Sequence, residues 1–250
     1  LKDVYMSREF PGGSQEVLNG VSLVVFAAGF LAIGGSDVGA RQALLNVISL
    51  REAPTSGTLS VGSWNVAQMT DEQKEAVRLS GVRYVARAPQ ILTRKVGVLS
   101  SRFGQERLLR SSIGDLLQHE VGRVRDFGHA ERESLVGRAI ARFRLQTVSR
   151  ARLCDLDPQQ FQRFFFAQAI VTNPCVLVVE AAAVMLGGMR SILDDLSSLN
   201  QDAGMTIVCE ADEATKNVFL HAQFAAHLDD GSITKLGLQR NGAWSFVADR

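Results

Sequence analysis

Residues 32–48 read AIGGSDVGARQALLNVI. An apolar run ends in glycine, a short loop follows, and helical spacing is expected from Ala43 onward. That order suits a loop that cradles phosphate, with the pattern G-x-x-x-x-G-K-[ST]. Its glycines let backbone N–H groups approach the phosphate, its lysine reaches the outer oxygens, and its hydroxyl holds Mg²⁺. Here Gly35 takes the first glycine position and Gly39 lies within the loop. Ala40 replaces the second glycine, Arg41 the lysine and Gln42 the hydroxyl residue, and Val38 adds bulk. Arginine keeps the charge but is longer and planar. The Gln42 amide is a bulkier and weaker metal ligand than a hydroxyl, and side chains at 38 and 40 restrict positive φ. Two readings stay open. Gly35, Gly39 and a helix start at residues 42–43 could form an anion site, or the segment is a plain strand-to-helix turn.

Other residues narrow the chemistry. Cys154, Cys175 and Cys209 are odd in number and have no metal-ligand spacing to the four histidines, so no metal centre is expected. Reduced, mostly buried thiols are. Charge is uneven: residues 83–152 hold 15 Lys/Arg against 6 Asp/Glu, although the whole chain is only +1. These are either solvated helices or a face for an acidic protein or an anionic lipid surface. Few aromatics interleave with the arginines to stack bases, so nucleic acid is not an expected partner.

The elements that must position these residues follow from periodicity. SLVVFAAGFLAIGG reads as strand-like runs broken at Gly29. TDEQKEAVR opens a helix with Thr70 as N-cap and Gln73 at the capping-box position. In RESLVGRAIARFRL, Leu135, Val136, Ala139, Ile140 and Phe143 form one stripe that must pack inward, leaving Arg138 and Arg142 outward. DPQQFQRFFFAQAIV starts a helix with Asp157 as N-cap and Pro158 at its first position. PCVLVVE and MTIVCE read as strands buried on both faces. FAAHLDDGSITKLG is a hairpin turning at Asp230 and Gly231. Strands alternating with helices indicate an α/β fold with a mostly parallel sheet. No apolar run approaches the roughly 20 residues of a membrane span, and no signal peptide is expected.

The order of these segments resembles the nucleotide-binding domain of ATP-binding cassette (ABC) transporters, nearest the subfamily of lipoprotein release, macrolide export and cell-division-like complexes. LKDVY and EVLNGVSL are similar to the opening strands, and APTSGTLSVGSWNV to the hairpin that follows the phosphate loop. NPCVLVVE stands where the second metal-side strand belongs, MTIVCEAD where the switch-histidine strand belongs, and HLDDGSI is similar to the family's closing hairpin. The resemblance implies a P-loop NTPase fold with an antiparallel β subdomain and an inserted helical subdomain. It implies one ABC-type domain over 1–250, with an α/β core at 1–95 and 158–250 and the helical subdomain at 96–157.

The working positions depart from the family. Glu180 stands at the metal-side aspartate, and Ala181 replaces the glutamate that activates water. Alanine takes no proton, so general-base catalysis is lost. Arg87 stands at the coupling glutamine and Asp212 at the switch histidine. The signature L-S-G-G-Q reads LDPQQ, with Asp157, Pro158, Gln159 and Gln160. Asp157 brings negative charge and Pro158 lacks an N–H. Arg8 and Phe10 fall near the purine-stacking aromatic. The resemblance with these departures implies a subunit that does not hydrolyse ATP, needs no cofactor and serves a structural role. Its partners are a membrane permease or another ABC-type subunit, docked through Arg87, Arg138 and Arg142, at the cytoplasmic or equivalent organellar face of a membrane. The alternative is a regulatory subunit that binds ATP or ADP without hydrolysing it.

Overall fold

The computed structural model describes residues 1–11, 13–87, 111–124, 127–240 and 243–248. The chain opens with β1 (Lys2–Phe10) and β2 (Gly13–Val21), then β3 (Phe30–Gly34) and α1 (Val38–Ile48). Short strands β4 (Ser56–Thr58), β5 (Ser60–Val61) and β6 (Trp64–Asn65) precede α2 (Asp71–Ser80) and β7 (Val82–Val85). Next come α3 (Ile113–Val124), α4 (His129–Arg142) and α5 (Pro158–Ile170). The remainder is β8 (Val176–Val179), α6 (Ala181–Leu186), α7 (Met189–Ala203), β9 (Thr206–Glu210), α8 (Val218–His221), β10 (Phe224–Asp229), β11 (Ser232–Arg240) and β12 (Ala243–Ala248).

The central sheet has the order β12-β11-β10-β3-β9-β8-β7. Its strands from β10 to β7 pair in parallel, and β11 and β12 close one edge antiparallel. The alternation of side chains along a strand decides what each face buries. Phe30, Ala32, Leu177, Val179, Ile207 and Cys209 face the helices α3 to α7, whereas Leu31, Ile33, Val178 and Val208 face α1 and the antiparallel sheet. Both faces are covered, which explains the continuous apolar runs. That antiparallel sheet has the order β2-β1-β4, and β5 pairs with β6 beside it.

Local signals formed as expected at several points. Thr70 and Gln73 make the α2 capping box, Asp157 and Gln160 make the same device at α5, and Gly204 closes α7 in the left-handed region with φ +65°. The β10–β11 hairpin turns at Asp230 and Gly231. Two expectations are corrected. Residues 22–29 form no strand: Ala28 takes φ +55° and its N–H bonds to Thr206 Oγ1 at 3.0 Å, so the run is a turn leading into β3. The helix after the glycines begins at Val38, more than a turn before Ala43, because Asp37 caps it. In the helical region, residues 96–110 and 125–126 lie outside the described residues.

Candidate functional site

The site is built at the C-terminal end of β3. Gly35 adopts φ +116°, and a Cβ there would stand 1.9 Å from the Leu228 carbonyl oxygen. Glycine is therefore required by the close approach of β10, whatever the loop binds. Gly39 has no such constraint: a Cβ would meet only Asp37 Oδ1 at 3.4 Å. Two of the loop's amides and the Ser36 hydroxyl are met from inside the chain. Asp37 Oδ1 accepts from Ala40 N at 2.8 Å, and Oδ2 accepts from Gly231 N at 3.2 Å. A carboxylate thus occupies the positive end of α1. Asp229 Oδ1 accepts from the Ser36 N–H at 2.9 Å and from its hydroxyl at 2.6 Å, and Oδ2 accepts from Thr234 Oγ1 at 2.8 Å. These donors hold the Asp229 carboxyl down at about 2.

Arg41 is only 4% exposed. Its Nε donates to Glu210 Oε1 at 3.1 Å and its Nη1 to the Gly35 carbonyl. Glu210, on the last residue of β9, also accepts from Ala181 N at 3.2 Å. The guanidinium is thus drawn back into the protein by a buried partner. Gln42 Nε2 donates to Tyr84 Oη at 2.7 Å and to Glu180 Oε1 at 3.3 Å. Tyr84 donates to the same Glu180 oxygen, while Oε2 accepts from Arg87 N at 2.8 Å. Burial, reinforced by Glu180, raises the Tyr84 phenol's pKa and keeps it a donor. Both Glu180 oxygens are therefore engaged.

Beside the loop lies a cavity of about 740 Å³, lined in part by Gly35, Val38, Arg41, Asp212 and His227. Val38 is 63% exposed at its mouth. Asp212 reaches this cavity, but its Oδ1 accepts from Thr215 N at 2.8 Å and from Thr215 Oγ1 at 2.7 Å. Gly35, Arg41 and Asp212 are thus brought together, and Gln42, Arg87 and Glu180 form an adjoining cluster. Asp157, Pro158, Gln159 and Gln160 do not line this cavity. Asp157 Oδ1 caps Gln160 N at 2.8 Å, and Gln160 Oε1 returns the bond to Asp157 N at 3.2 Å. Arg8 is paired with Glu52 at 2.6 Å, and the Phe10 side chain lies outside the described residues.

Two expectations need correction. Arg142 is not a free outward cation: its Nη1 donates to Ser198 Oγ on α7 at 2.7 Å. Arg138 is exposed as expected. Cys154 and Cys175 are exposed, because they lie in a short turn and in the loop before β8, and only Cys209 is buried. Burial raises the Cys209 thiol pKa. Sequence reasoning missed Asp37, Tyr84, Glu210 and Asp229 as the groups that satisfy the loop. Only Asp37 carried a local signal, as an N-cap residue before a helix.

Comparison with known proteins fits this architecture. Over 96% of its length the chain superposes on the dimeric structure of MJ0796, a bacterial ABC transporter cassette, with TM-score 0.77 and 18% identity, covering 98% of that chain. CbiO1 of Clostridium perfringens, part of the cbiONQ transporter complex, gives TM-score 0.72 at 17% identity, with 95% of this chain and 88% of that one covered. These likenesses establish the fold. In sequence, 211 residues, or 83% of the chain, are 25% identical to 84% of the uncharacterized ABC transporter ATP-binding protein YknY of Bacillus subtilis. The chain is a homologue of ABC transporter ATP-binding proteins. Over 194 residues, 77% of its length, it is 26% identical to the macrolide export ATP-binding/permease protein MacB of Syntrophobacter fumaroxidans, of which it spans 25%. Over 209 residues, 81% of its length, it is 28% identical to the methionine import ATP-binding protein MetN of Cupriavidus pinatubonensis, of which it spans 55%. No family model matches the chain. Among the described residues no helix is long and apolar enough to cross a membrane.

Proposed function

We propose that this ABC-type chain is a catalytically inactive subunit that holds together a membrane-associated assembly. The observation that carries the reading is that part of the phosphate loop, two of its amides and Arg41, is already held from inside the chain. Asp37 takes the Ala40 amide, Asp229 takes the Ser36 amide, and Glu210 takes the Arg41 guanidinium. A triphosphate would have to displace two carboxylates and enter beside their charge. The metal-side groups fit Mg²⁺ no better, since Gln42 and Glu180 are bonded to each other and to Tyr84. Ala181 supplies no base for an attacking water. The residues present therefore do not fit Mg-ATP as a substrate. Steady-state phosphate release by the full chain tests this, with no turnover above a protein-free control expected. Turnover abolished by Gln42→Ala or Glu180→Ala would overturn it.

The relatives include an ATP-binding/permease protein and import ATP-binding proteins. By that analogy the partner is a permease or a second ABC-type subunit, at the cytoplasmic face of a membrane. Arg87, exposed at the end of β7 and fixed by its backbone bond to Glu180, is the proposed contact, with the surface around Arg138 and Arg142 extending it. Arg87→Glu is expected to reduce co-purification with the native complex at low salt, with unchanged thermal melting. Undiminished co-purification would place the contact elsewhere.

A second reading, nucleotide binding without hydrolysis, is favoured by the cavity of about 740 Å³ beside the loop and by the match to a cassette bound to ADP and phosphate. Equilibrium binding of ADP separates the two.

A further inference from the structure

A second groove, of about 680 Å³, lies between α4, the end of α5 and α7, away from the phosphate loop. Arg138, Arg142 and Arg144 line it, against one lining carboxylate, Asp195. Leu135 and Leu199 are part of its apolar floor. Its volume lies within the range of small-ligand sites.

Three features set it apart from a solvated basic surface. First, the arginines are positioned. Arg144 Nη1 lies 2.5 Å from Asp195 Oδ2, and Arg142 Nη1 lies 2.7 Å from Ser198 Oγ. Ser198 in turn donates to Asp202, the second carboxylate at this edge. Second, Arg144 has φ +56°, in the left-handed region. This is the left-handed residue of the motif that ends α4, with Leu145 N on the Ile140 carbonyl at 2.9 Å and Arg144 N on the Ala141 carbonyl at 3.2 Å, and that ending brings the Arg144 guanidinium to the groove. Third, positive charge is crowded. Arg163, behind the groove, bonds to the Phe143 carbonyl at 3.4 Å and to Ser191 Oγ at 2.6 Å. Burial and then the Arg144 charge lower its pKa.

Three guanidiniums lining a groove with an apolar floor match an anion with a hydrocarbon part, which would meet exposed Arg138 directly and exchange with Asp195 on Arg144 and Ser198 on Arg142. Among the described residues that line the groove, none is aromatic to stack a nucleobase. A dianionic phosphate offers three oxygens and two charges to several arginine forks, against two oxygens and one charge on a carboxylate. We propose that this groove binds a phosphate monoester carrying an alkyl chain, with the phosphate on Arg138, Arg142 and Arg144 and the chain along Leu135 and Leu199. The ester could be a free metabolite-sized molecule or the headgroup region of an anionic phospholipid, and the test separates these sources.

The test is calorimetric titration of the full chain with hexyl phosphate, inorganic phosphate and hexanol, beside flotation with vesicles of phosphatidic acid or of phosphatidylcholine alone. Saturable binding is expected for hexyl phosphate, weaker for inorganic phosphate, and absent for hexanol. Flotation only with phosphatidic acid, without hexyl phosphate binding, would assign the lipid source; hexyl phosphate binding without flotation would assign the soluble one. Arg138→Ala and Arg144→Gly should each weaken the binding about tenfold or more, the loss of a charge-assisted hydrogen bond. Arg138 is exposed, so its variant tests binding without a burden on folding. No binding to either phosphate source, or binding unchanged in both variants, overturns the proposal. The result is independent of the phosphate loop: a chain that hydrolysed ATP and still bound hexyl phosphate here would lose the scaffold reading and keep this one.

Discussion

At the scale of single residues, the account turns on Arg41. It is buried with Glu210, and the two lie 169 residues apart in sequence. A buried pair broken on one side leaves an uncompensated charge, which typically costs about 3–5 kcal/mol. Arg41→Ala is therefore expected to destabilise the fold by about that amount in urea unfolding, and Arg41→Met combined with Glu210→Gln by clearly less. If Arg41 instead pointed into an open phosphate site, its removal would leave stability nearly unchanged, and the double variant would gain nothing. Asp229 gives a pH signature. Ser36 and Thr234 favour its charged form, so its carboxyl falls from 3.8 to about 2 on folding. The stabilisation is complete above the unfolded value and is lost as pH falls through about 2. Asp229→Asn should lower stability near neutrality and flatten the fall between about pH 4 and pH 2. A wild-type slope retained in the variant would assign that fall to other carboxylates. None of these pairings was legible in the sequence, because each partner sits on a distant strand or loop. The residue types at positions 41, 42, 180, 181 and 212 were legible, and they correctly pointed to one end of the sheet.

At the scale of elements, local chemistry spoke clearly where it was strong. Thr70 with Gln73 announced a capping box, Asp157 with Pro158 announced a helix start, and the apolar runs of β8 and β9 announced a doubly covered sheet. The sequence misled at α1. Ser36, Asp37 and Gly39 resemble loop residues, yet Asp37 as N-cap starts the helix at Val38. It also misled over residues 22–29, where hydrophobicity alone suggested a strand, but Ala28 and Gly29 make a turn. The Asp157 box supports a prediction. Asp157→Ala should cost about 1 kcal/mol, and Asp157→Ser, which restores a hydroxyl cap, only a few tenths. Equal losses for both, read by thermal unfolding, would mean that charge at the α5 terminus matters more than the cap.

At the scale of the whole molecule, the frame and the site diverge. The frame superposes on ABC cassettes over nearly its full length. The chain spans a quarter of MacB and about half of MetN, so the transport carried out by such larger proteins is not carried over to it here. Within the frame, groups that could face a nucleotide face one another instead. The central claim is that the chain's own carboxylates, holding the Ser36 and Ala40 amides and the Arg41 guanidinium, stand in the way of a nucleotide. Calorimetric titration of the full chain with Mg-ATP tests it most directly. The account predicts no saturable binding up to about 1 mM, an affinity no better than about −4 kcal/mol. Saturable, Mg²⁺-dependent binding tighter than about 10 µM, near −7 kcal/mol, and weakened by Gln42→Ala, would contradict it.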